Sequence, residues 1–433
     1  MLETRSLGEL IEAGIIEATN GFPFGGHNSD GNGVPHIRPF NVTTNGEILL
    51  DQIKSIPAEA ALNKPRLRRG DVVFNNTNTK ELVGKCAVWD QETEPVFSNH
   101  MTRIRVRDDA CDATYLSFAI LHHWMLGKSE MLARAHVAQA SIMGERFREI
   151  VVPWCSLAEQ RAFATTIARV RESCRSDLVQ EEHAQRLKAA TQRELFTRGL
   201  RGEAQRETSI GPVPESWNVV DFSETREWLQ YGTSVHCTLE EKRYPVLRIP
   251  NVEPGRVNTS ELKYCDLPDE EAQKYLLHDG DLLFIRTNGV LDRLGSCAVY
   301  RGDPAAALFA SYLIRARLKA HVDARYVAYF YASALGTSLV AGRATPAADG
   351  KYNLNTGTID SLPLALPPNI DEQRDVVAIL DVLDRKIELH QKKRGVLEEL
   401  FKTLLHKLLT GELRADQLSL LPLDERSRRE ATA

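Results

Sequence analysis

Apolar residues recur with two different periods along this chain, and the alternation between them divides it. Residues 1–153 carry short runs in which apolar and polar side chains alternate, such as Asp71-Val72-Val73-Phe74 and Ile104-Arg105-Val106, punctuated by Gly and Asn. A period of two predicts half-buried strands, so this stretch reads as a β-rich lobe, with a helix over Tyr115 to Leu126. From Ser156 to Arg198 the pattern changes, with neither Gly nor Pro, and residues 154–203 read as one long spacer helix. The same order then returns, with a second lobe over residues 211–366, a second long helix over 367–412 and a polar tail over 413–433.

Ser156 and Asn369 open the two helices, each with a Glu three positions on, Glu159 and Glu372, which is the spacing of a capping box. At 1.5 Å per residue each helix would run about 60 Å, longer than a lobe of this size needs. The second helix carries a heptad seam of Val376, Leu380, Leu383, Ile387, His390, Arg394, Leu397, Phe401, Leu404 and Leu408. The matching seam on the first is Phe163, Ile167, Val170, Cys174, Asp177, Glu181, Ala184, Lys188, Thr191 and Leu195. Sustained heptads predict helix on helix, here an antiparallel coiled coil, over two helices that each pack only on their own lobe. With midpoints level, Asp177 would face Arg394 and Glu181 would face His390, a charged layer that fixes register.

The two halves are a tandem duplication. Pro35-His36-Ile37-Arg38-Pro39-Phe40-Asn41-Val42 is echoed by Pro245-Val246-Leu247-Arg248-Ile249-Pro250-Asn251-Val252, and Gly70-Asp71-Val72-Val73-Phe74 by Gly280-Asp281-Leu282-Leu283-Phe284. Arg103 and Arg105 pair with Arg315 and Arg317, Asp112-Ala113-x-Tyr115 with Asp323-Ala324-x-Tyr326, and Glu159-Gln160-Arg161 with Glu372-Gln373-Arg374. Colinear matches with a slowly drifting offset define an internal pseudo-twofold repeat. The expected class is α+β: two tandem lobes alternating with two long helices.

Composition narrows the function. The chain has 433 residues, 42% hydrophobic and 26% charged, enough to bury real cores rather than remain disordered. Its formal charge of −5 excludes a polybasic nucleic-acid coat but leaves room for local basic grooves. No basic segment leads into an apolar run at Met1-Leu2-Glu3-Thr4-Arg5, and the most apolar stretch, Tyr326 to Gly342, is interrupted by Ser333, Gly336, Thr337 and Ser338. That pattern predicts no membrane span and a cytoplasmic protein. Seven cysteines with no Cys-x-x-Cys pair read as reduced thiols.

Catalytic chemistry is not visible. The one Pro-Pro, Pro367-Pro368, lies between Leu366 and Asn369 and is no adenine-methyltransferase motif, and no Gly-x-x-x-x-Gly-Lys-[Ser/Thr] phosphate loop occurs. The adjacent pair His122-His123 lacks ligand spacing and reads as a helix surface. No catalytic or metal-binding residue is expected.

Lobes alternating with long helices, each helix opening on Glu-Gln-Arg, resemble the specificity subunit of type I restriction–modification enzymes. The residues that carry this are Gly211-Pro212-Val213-Pro214-Glu215-Ser216-Trp217, Leu157-Ala158-Glu159-Gln160-Arg161, Leu366 to Arg374, and Leu408-Leu409-Thr410-Gly411-Glu412. The N-terminus departs from the pattern, having no Gly-x-x-Pro-x-x-Trp lead-in, and Pro153-Trp154-Cys155-Ser156 replaces the usual Pro-Pro. The resemblance implies that each lobe is a target recognition domain for one half of a split site in double-stranded DNA. The helices would set the gap and dock two methyltransferase subunits, with restriction translocase–nuclease subunits joining them. It implies no cofactor in this chain, with S-adenosylmethionine, ATP and Mg in the partner subunits. A fused enzyme with an unrecognised methyltransferase or nuclease domain and a two-lobed scaffold that binds no DNA are the alternatives.

Chemistry alone ranks the DNA-contact candidates. Asn75, Asn76, Thr77, Asn78, Thr79 and Lys80 follow a strand-like run, and Arg286, Thr287, Asn288 and Arg293 stand at the equivalent place. Arg343, Lys351 and Tyr352 mark another loop of the second lobe. Arg and Asn suit base edges and Lys suits phosphate, while the structural alternative is a turn built on Asn and Gly. Arg38 and Arg248 recur at matching positions, which favours backbone contact or structure over base readout.

Overall fold

The computed structural model describes residues 2–107, 109–347 and 350–414, so the expected tail lies, from residue 415 onward, outside the described residues. The chain forms two compact units, Met1–Ser176 with Lys393–Ala433, and Asp177–Lys392. Each unit holds one lobe and a half of each long helix, so the division falls in mid-helix.

The lobes repeat strand for strand. In unit 1 an antiparallel sheet runs Ile16–Asn20, Met101–Val106, Val72–Asn75, Cys86–Val88. In unit 2 the same order is Arg226–Tyr231, Leu313–Leu318, Leu282–Ile285, Cys297–Val299, extended by Gly255–Val257 and Val252–Glu253. A second sheet joins Lys54–Ile56, Val34–Ile37 and Val96–Phe97, matched by Lys263–Cys265, Tyr244–Leu247 and Leu308–Phe309. The central strands are buried on both faces, so Val72–Asn75 and Leu282–Ile285 show no exposed position.

One ion pair is repeated inside each main sheet. Arg105 grips Asp71 through two hydrogen bonds of 2.7 and 2.6 Å, and Arg317 grips Asp281 at 2.9 and 3.0 Å. Each Asp also accepts a backbone N–H three residues back, from Arg68 and His278, which shapes the Gly-Asp turn into the strand. A bidentate guanidinium satisfies the carboxylate that burial would otherwise penalise.

The long helices span Leu157–Arg198 and Ile370–Thr410, 42 and 41 residues. Ser156 and Glu159 close the expected capping box, with Ser156 N donating to Glu159 Oε2 (3.1 Å) and Glu159 N to Ser156 Oγ (3.4 Å). The second helix departs from expectation. Asn369 Oδ1 caps Asp371 N at 2.9 Å, and Glu372 turns away to accept from Trp217 Nε1 at 3.1 Å.

The glutamine of each Glu-Gln-Arg motif fastens a helix to its lobe. Gln160 Oε1 accepts from Asp112 N (2.9 Å) while its Nε2 donates to Cys155 O (2.9 Å). Gln373 repeats this with Asp323 N (2.8 Å) and Pro367 O (3.0 Å), and both glutamines are fully buried. Asp112 and Asp323 cap the helices Ala113–Met125 and Ala324–Tyr331. Tyr115 and Tyr326 on those helices donate to Pro153 O and Ala365 O, at 2.9 and 2.6 Å. The repeated sequence motifs therefore form one joint, built twice.

The seams pack partly on the lobes. Phe163, Ile167, Val170, Phe401 and Leu408 belong to the core of lobe 1, and Leu195, Val376 and Leu380 to that of lobe 2. Within unit 2 the helices also meet directly and run antiparallel, Glu181 accepting from Gln391 Nε2 (2.8 Å) and Lys188 pairing with Asp384 (2.5 Å). These keep the register of level midpoints to within a residue. His390 Nδ1 lies 3.0 Å from Asp177 Oδ1, and Arg394 pairs with Glu398 one turn on at 3.0 Å.

His122 and His123 correct the surface reading, since they are 7% and 6% exposed. Ala113–Met125 is buried around most of its circumference, and His122 Nε2 lies 3.1 Å from His406 Nδ1 on the second long helix. Burial, with His406 and Lys128 nearby, pulls His122 down to about 4. The stretch from Tyr326 to Gly342 is two short helices broken at Ser333, and no helix of the described residues is long and apolar enough to cross a membrane.

Candidate nucleic-acid interface

A small three-stranded sheet rises from each lobe where the buried central strand ends. In lobe 2, Thr287–Asn288 pairs with Tyr352–Asn353, which pairs with Thr345–Pro346. In lobe 1, Thr77–Asn78 pairs with Ala140–Ser141, which pairs with Arg134–Ala135. The fold thus joins two candidates that lie far apart in sequence, because Asn288 and Tyr352 are directly opposed. Arg343 and Lys351 flank that hairpin and are exposed, as is Arg293 just beyond the short strand.

Beside the hairpin the two lobes differ. In lobe 2 the guanidinium of Arg286 lies 4.8 Å from the ring centre of Tyr231, the last residue of an edge strand. Arg286 N donates to Tyr312 O at 3.1 Å, and Thr356 N donates to the Tyr231 hydroxyl at 3.2 Å. Tyr231 and Tyr312 are 37% and 58% exposed, so the cation stacks on one open ring and a second open tyrosine directly precedes the neighbouring strand. Asn20, Asn76 and His100 hold the same three places in lobe 1. Asn76 N donates to His100 O (3.1 Å), Asn76 Nδ2 to Thr102 Oγ1 (3.0 Å), and Thr102 Oγ1 to Asn20 Oδ1 (2.8 Å). One frame therefore carries a cation–aromatic stack in one lobe and a neutral amide–hydroxyl chain in the other.

Several sequence candidates face inward. Asn75 and Asn76 are fully buried, and Asn75 Nδ2 donates to Pro39 O at 2.9 Å. These amides hold neighbouring loops, because Asn75 is still part of the central strand; the polar run turns outward only from Thr77. Thr287 is 8% exposed, also sheet structure rather than rim. Thr77 and Asn78 are half-buried, and Lys80 is exposed in an ion pair of 2.7 Å with Glu130, which raises its pKa.

Arg38 and Arg248 sit at the rim of the second sheet. The Arg38 guanidinium covers Phe40 at 4.1 Å, beside a shallow groove shared with Phe24, Asn99 and His100. Its Nε and Nη2, and Nε of both Arg248 and Arg286, are buried N–H groups with no hydrogen-bond partner. Sequence reasoning missed Tyr231, Tyr312, Phe40 and His100, and it missed the lobe 1 hairpin, whose tip residue Val137 is fully exposed. Tyr231 ends the strand-prone run Trp228-Leu229-Gln230-Tyr231, which is a signal; Val137 in a short turn gives none.

Residues 218–399 match the model of the type I restriction modification DNA specificity domain. The chain is 27% identical over 210 residues to the putative type I restriction enzyme MjaX specificity subunit of Methanocaldococcus jannaschii, 47% of this chain and about half (48%) of that protein's length. It is 22% identical over 389 residues to the type I restriction enzyme EcoKI specificity subunit of Escherichia coli, 88% of this chain and 83% of that protein. The S subunit of a type I restriction–modification system from M. genitalium has the same fold, with a TM-score of 0.57 at 13% identity over 94% of this chain and 96% of that one. A chain from a study of type I R-M complex assembly and conformational transition aligns with a TM-score of 0.52 at 16% identity, over 95% of each.

Proposed function

On the premise that this chain belongs to the specificity-subunit family of type I restriction–modification systems, we propose that each lobe reads one half of a bipartite DNA site through the face that carries its hairpin. The observation that carries this is the duplicated frame with exchanged chemistry. Shared positions suit contacts that any duplex offers, and exchanged positions suit contacts that differ between half-sites. Arg38 and Arg248, repeated at matching positions on the rim of the second sheet, fit phosphate. Arg286 with Tyr231 and Tyr312, and Asn288 opposite Tyr352, fit base edges and grooves in lobe 2. Thr77, Asn78 and the 134–141 hairpin fit the equivalent role in lobe 1.

The long helices act as the ruler between half-sites and as the platform for methyltransferase subunits, two by the pseudo-symmetry of the repeat. The chain itself is non-catalytic and cytoplasmic in this reading. S-adenosylmethionine, ATP and Mg belong to the methyltransferase and to the restriction translocase–nuclease subunits.

Replacing Arg286 with Ala tests the assignment. A base contact by Arg contributes about 1–3 kcal/mol of discrimination, so R286A should weaken specific binding roughly tenfold or more and relax only the half-site read by lobe 2. Replacing Arg38 should instead weaken binding to all sequences and flatten the dependence of log K on log salt by about 0.9. Selection of bound duplexes from a random library, repeated at several salt concentrations, measures both. An R286A chain that keeps both half-site preferences unchanged would remove Arg286 from the reading face.

A further inference from the structure

The joint between helix and lobe is built twice, but one copy lacks its central ring. In unit 2 that ring is Trp217, fully buried and edge-to-face on Tyr326 with centroids 6.1 Å apart. Its Nε1 donates to Glu372 Oε1 at 3.1 Å, and Arg201 lies 3.3 Å from the other carboxylate oxygen. Gly199, in the left-handed region at φ 63°, ends the first long helix beneath the indole, and a Cβ there would come within 3.3 Å of it.

Unit 1 repeats every partner. Tyr115 takes the place of Tyr326 and Glu159 that of Glu372, with Arg414 3.4 Å from the Glu159 carboxylate as Arg201 is from Glu372. Gly411, at φ 78°, ends the second long helix as Gly199 ends the first. The strand Glu3–Ser6 pairs with Val151–Trp154 as Asn218–Asp221 pairs with Pro363–Leu366, so Leu2 precedes its strand as Trp217 precedes its own. The glycine confirms the match: a Cβ on Gly411 would meet Leu2 Cγ at 3.5 Å.

A leucine does not fill an indole's space. A cavity of about 390 Å³ remains, lined by Leu2, Tyr115, Cys155, Phe163, Leu408 and Arg414, with Glu159 at its edge. The volume falls within the range of small-ligand pockets. The Glu159 side chain is 48% exposed where that of Glu372 is 4% exposed. Ser156 occupies Glu159 Oε2, and Oε1 faces Arg414 and can take a further donor. A buried tryptophan needs an acceptor for its N–H, and tyrosine and phenylalanine edges to pack on.

We propose that this cavity is a binding site for a tryptophan side chain, presented by an extended segment of a partner protein. The partner would complete in unit 1 the joint that Trp217 completes within unit 2. The site is separate from the DNA-reading face and does not depend on that assignment.

The probe is an amidated peptide copying this chain's own Gly-Pro-Val-Pro-Glu-Ser-Trp, compared with versions ending in Ala or in 1-methyltryptophan. Alkylation of Cys155 in the full chain, resolved by peptide mass spectrometry, reports occupancy, with Cys237 in the other lobe as the control. The Trp peptide should slow Cys155 alkylation saturably, at least fivefold, and leave Cys237 unchanged. The Ala peptide should have no effect, and the methylated indole, having no N–H, should bind at least fivefold more weakly. Leu2→Trp should fill the cavity, abolish the peptide effect and raise Tm. No saturable protection at millimolar peptide, or equal protection by the Trp and Ala peptides, overturns the proposal whether or not the Leu2→Trp chain folds.

Discussion

Gln160 and Gln373 are tightly constrained polar side chains, each fully buried with its amide oxygen and nitrogen both bonded to backbone. Leucine at either position leaves a buried N–H and two carbonyls without partners, at about 1–3 kcal/mol for each unsatisfied group. Gln373→Leu should therefore lower unfolding stability by at least about 2 kcal/mol, read as a shift in the urea midpoint. Histidine makes a second prediction. Burial holds His36 and His122 at about 4, below the ordinary value of 6.5, so the unfolded chain binds protons that the folded chain refuses. Stability from these groups is complete above about pH 6.5 and falls as the pH drops toward 4. Urea titrations at pH 7 and 5 should show that loss, and His122→Phe should reduce it. None of this burial was legible locally: His122-His123 looks like a surface pair because the helix that covers it lies some 280 residues away in sequence.

At the scale of elements, the long helices and the existence of the strands Val72–Asn75 and Met101–Val106 follow from the apolar pattern, but Val72–Asn75 is buried at every position where a period of two predicts a half-buried strand. The hairpin sheets do not follow from that pattern. Thr287–Asn288 is two residues long, and its partner Tyr352–Asn353 is distant in sequence, so no local pattern announces the pairing. Asn75 and Asn76 read as a polar loop because sequence shows where a strand stops alternating, not where it leaves the core. The helix register is similar: heptads place the facing seams, while the choice of Asp177 as the partner of His390 depends on side-chain reach across one turn. A double-mutant cycle on Asp177 and His390 should return a coupling of about 0.5–3 kcal/mol, the range for residues in contact. Additive effects would show that this pair does not hold register.

The molecule as a whole is one design executed twice with altered details, and its duplication is what sequence reveals best. Fidelity is high in the main sheets and at the joints, where Asp71 with Arg105 and Gln160 with Asp112 recur atom for atom as Asp281 with Arg317 and Gln373 with Asp323. Divergence concentrates on the hairpin faces and at Leu2 against Trp217. That distribution fits the proposed reading of two unlike half-sites on a common frame. If the helices set the gap, inserting seven residues into each should lengthen the spacer by about 10 Å, or about three base pairs at 3.4 Å per pair, without changing either half-site. The central claim is tested most directly by co-expressing the chain with the methyltransferase subunit proposed as its partner in a methylation-free host and mapping N6-methyladenine across the genome. The account predicts one bipartite motif with a fixed gap, of which exchanging the 343–353 hairpin alters one half alone. An undivided motif, or a hairpin exchange that alters both halves together, would contradict it.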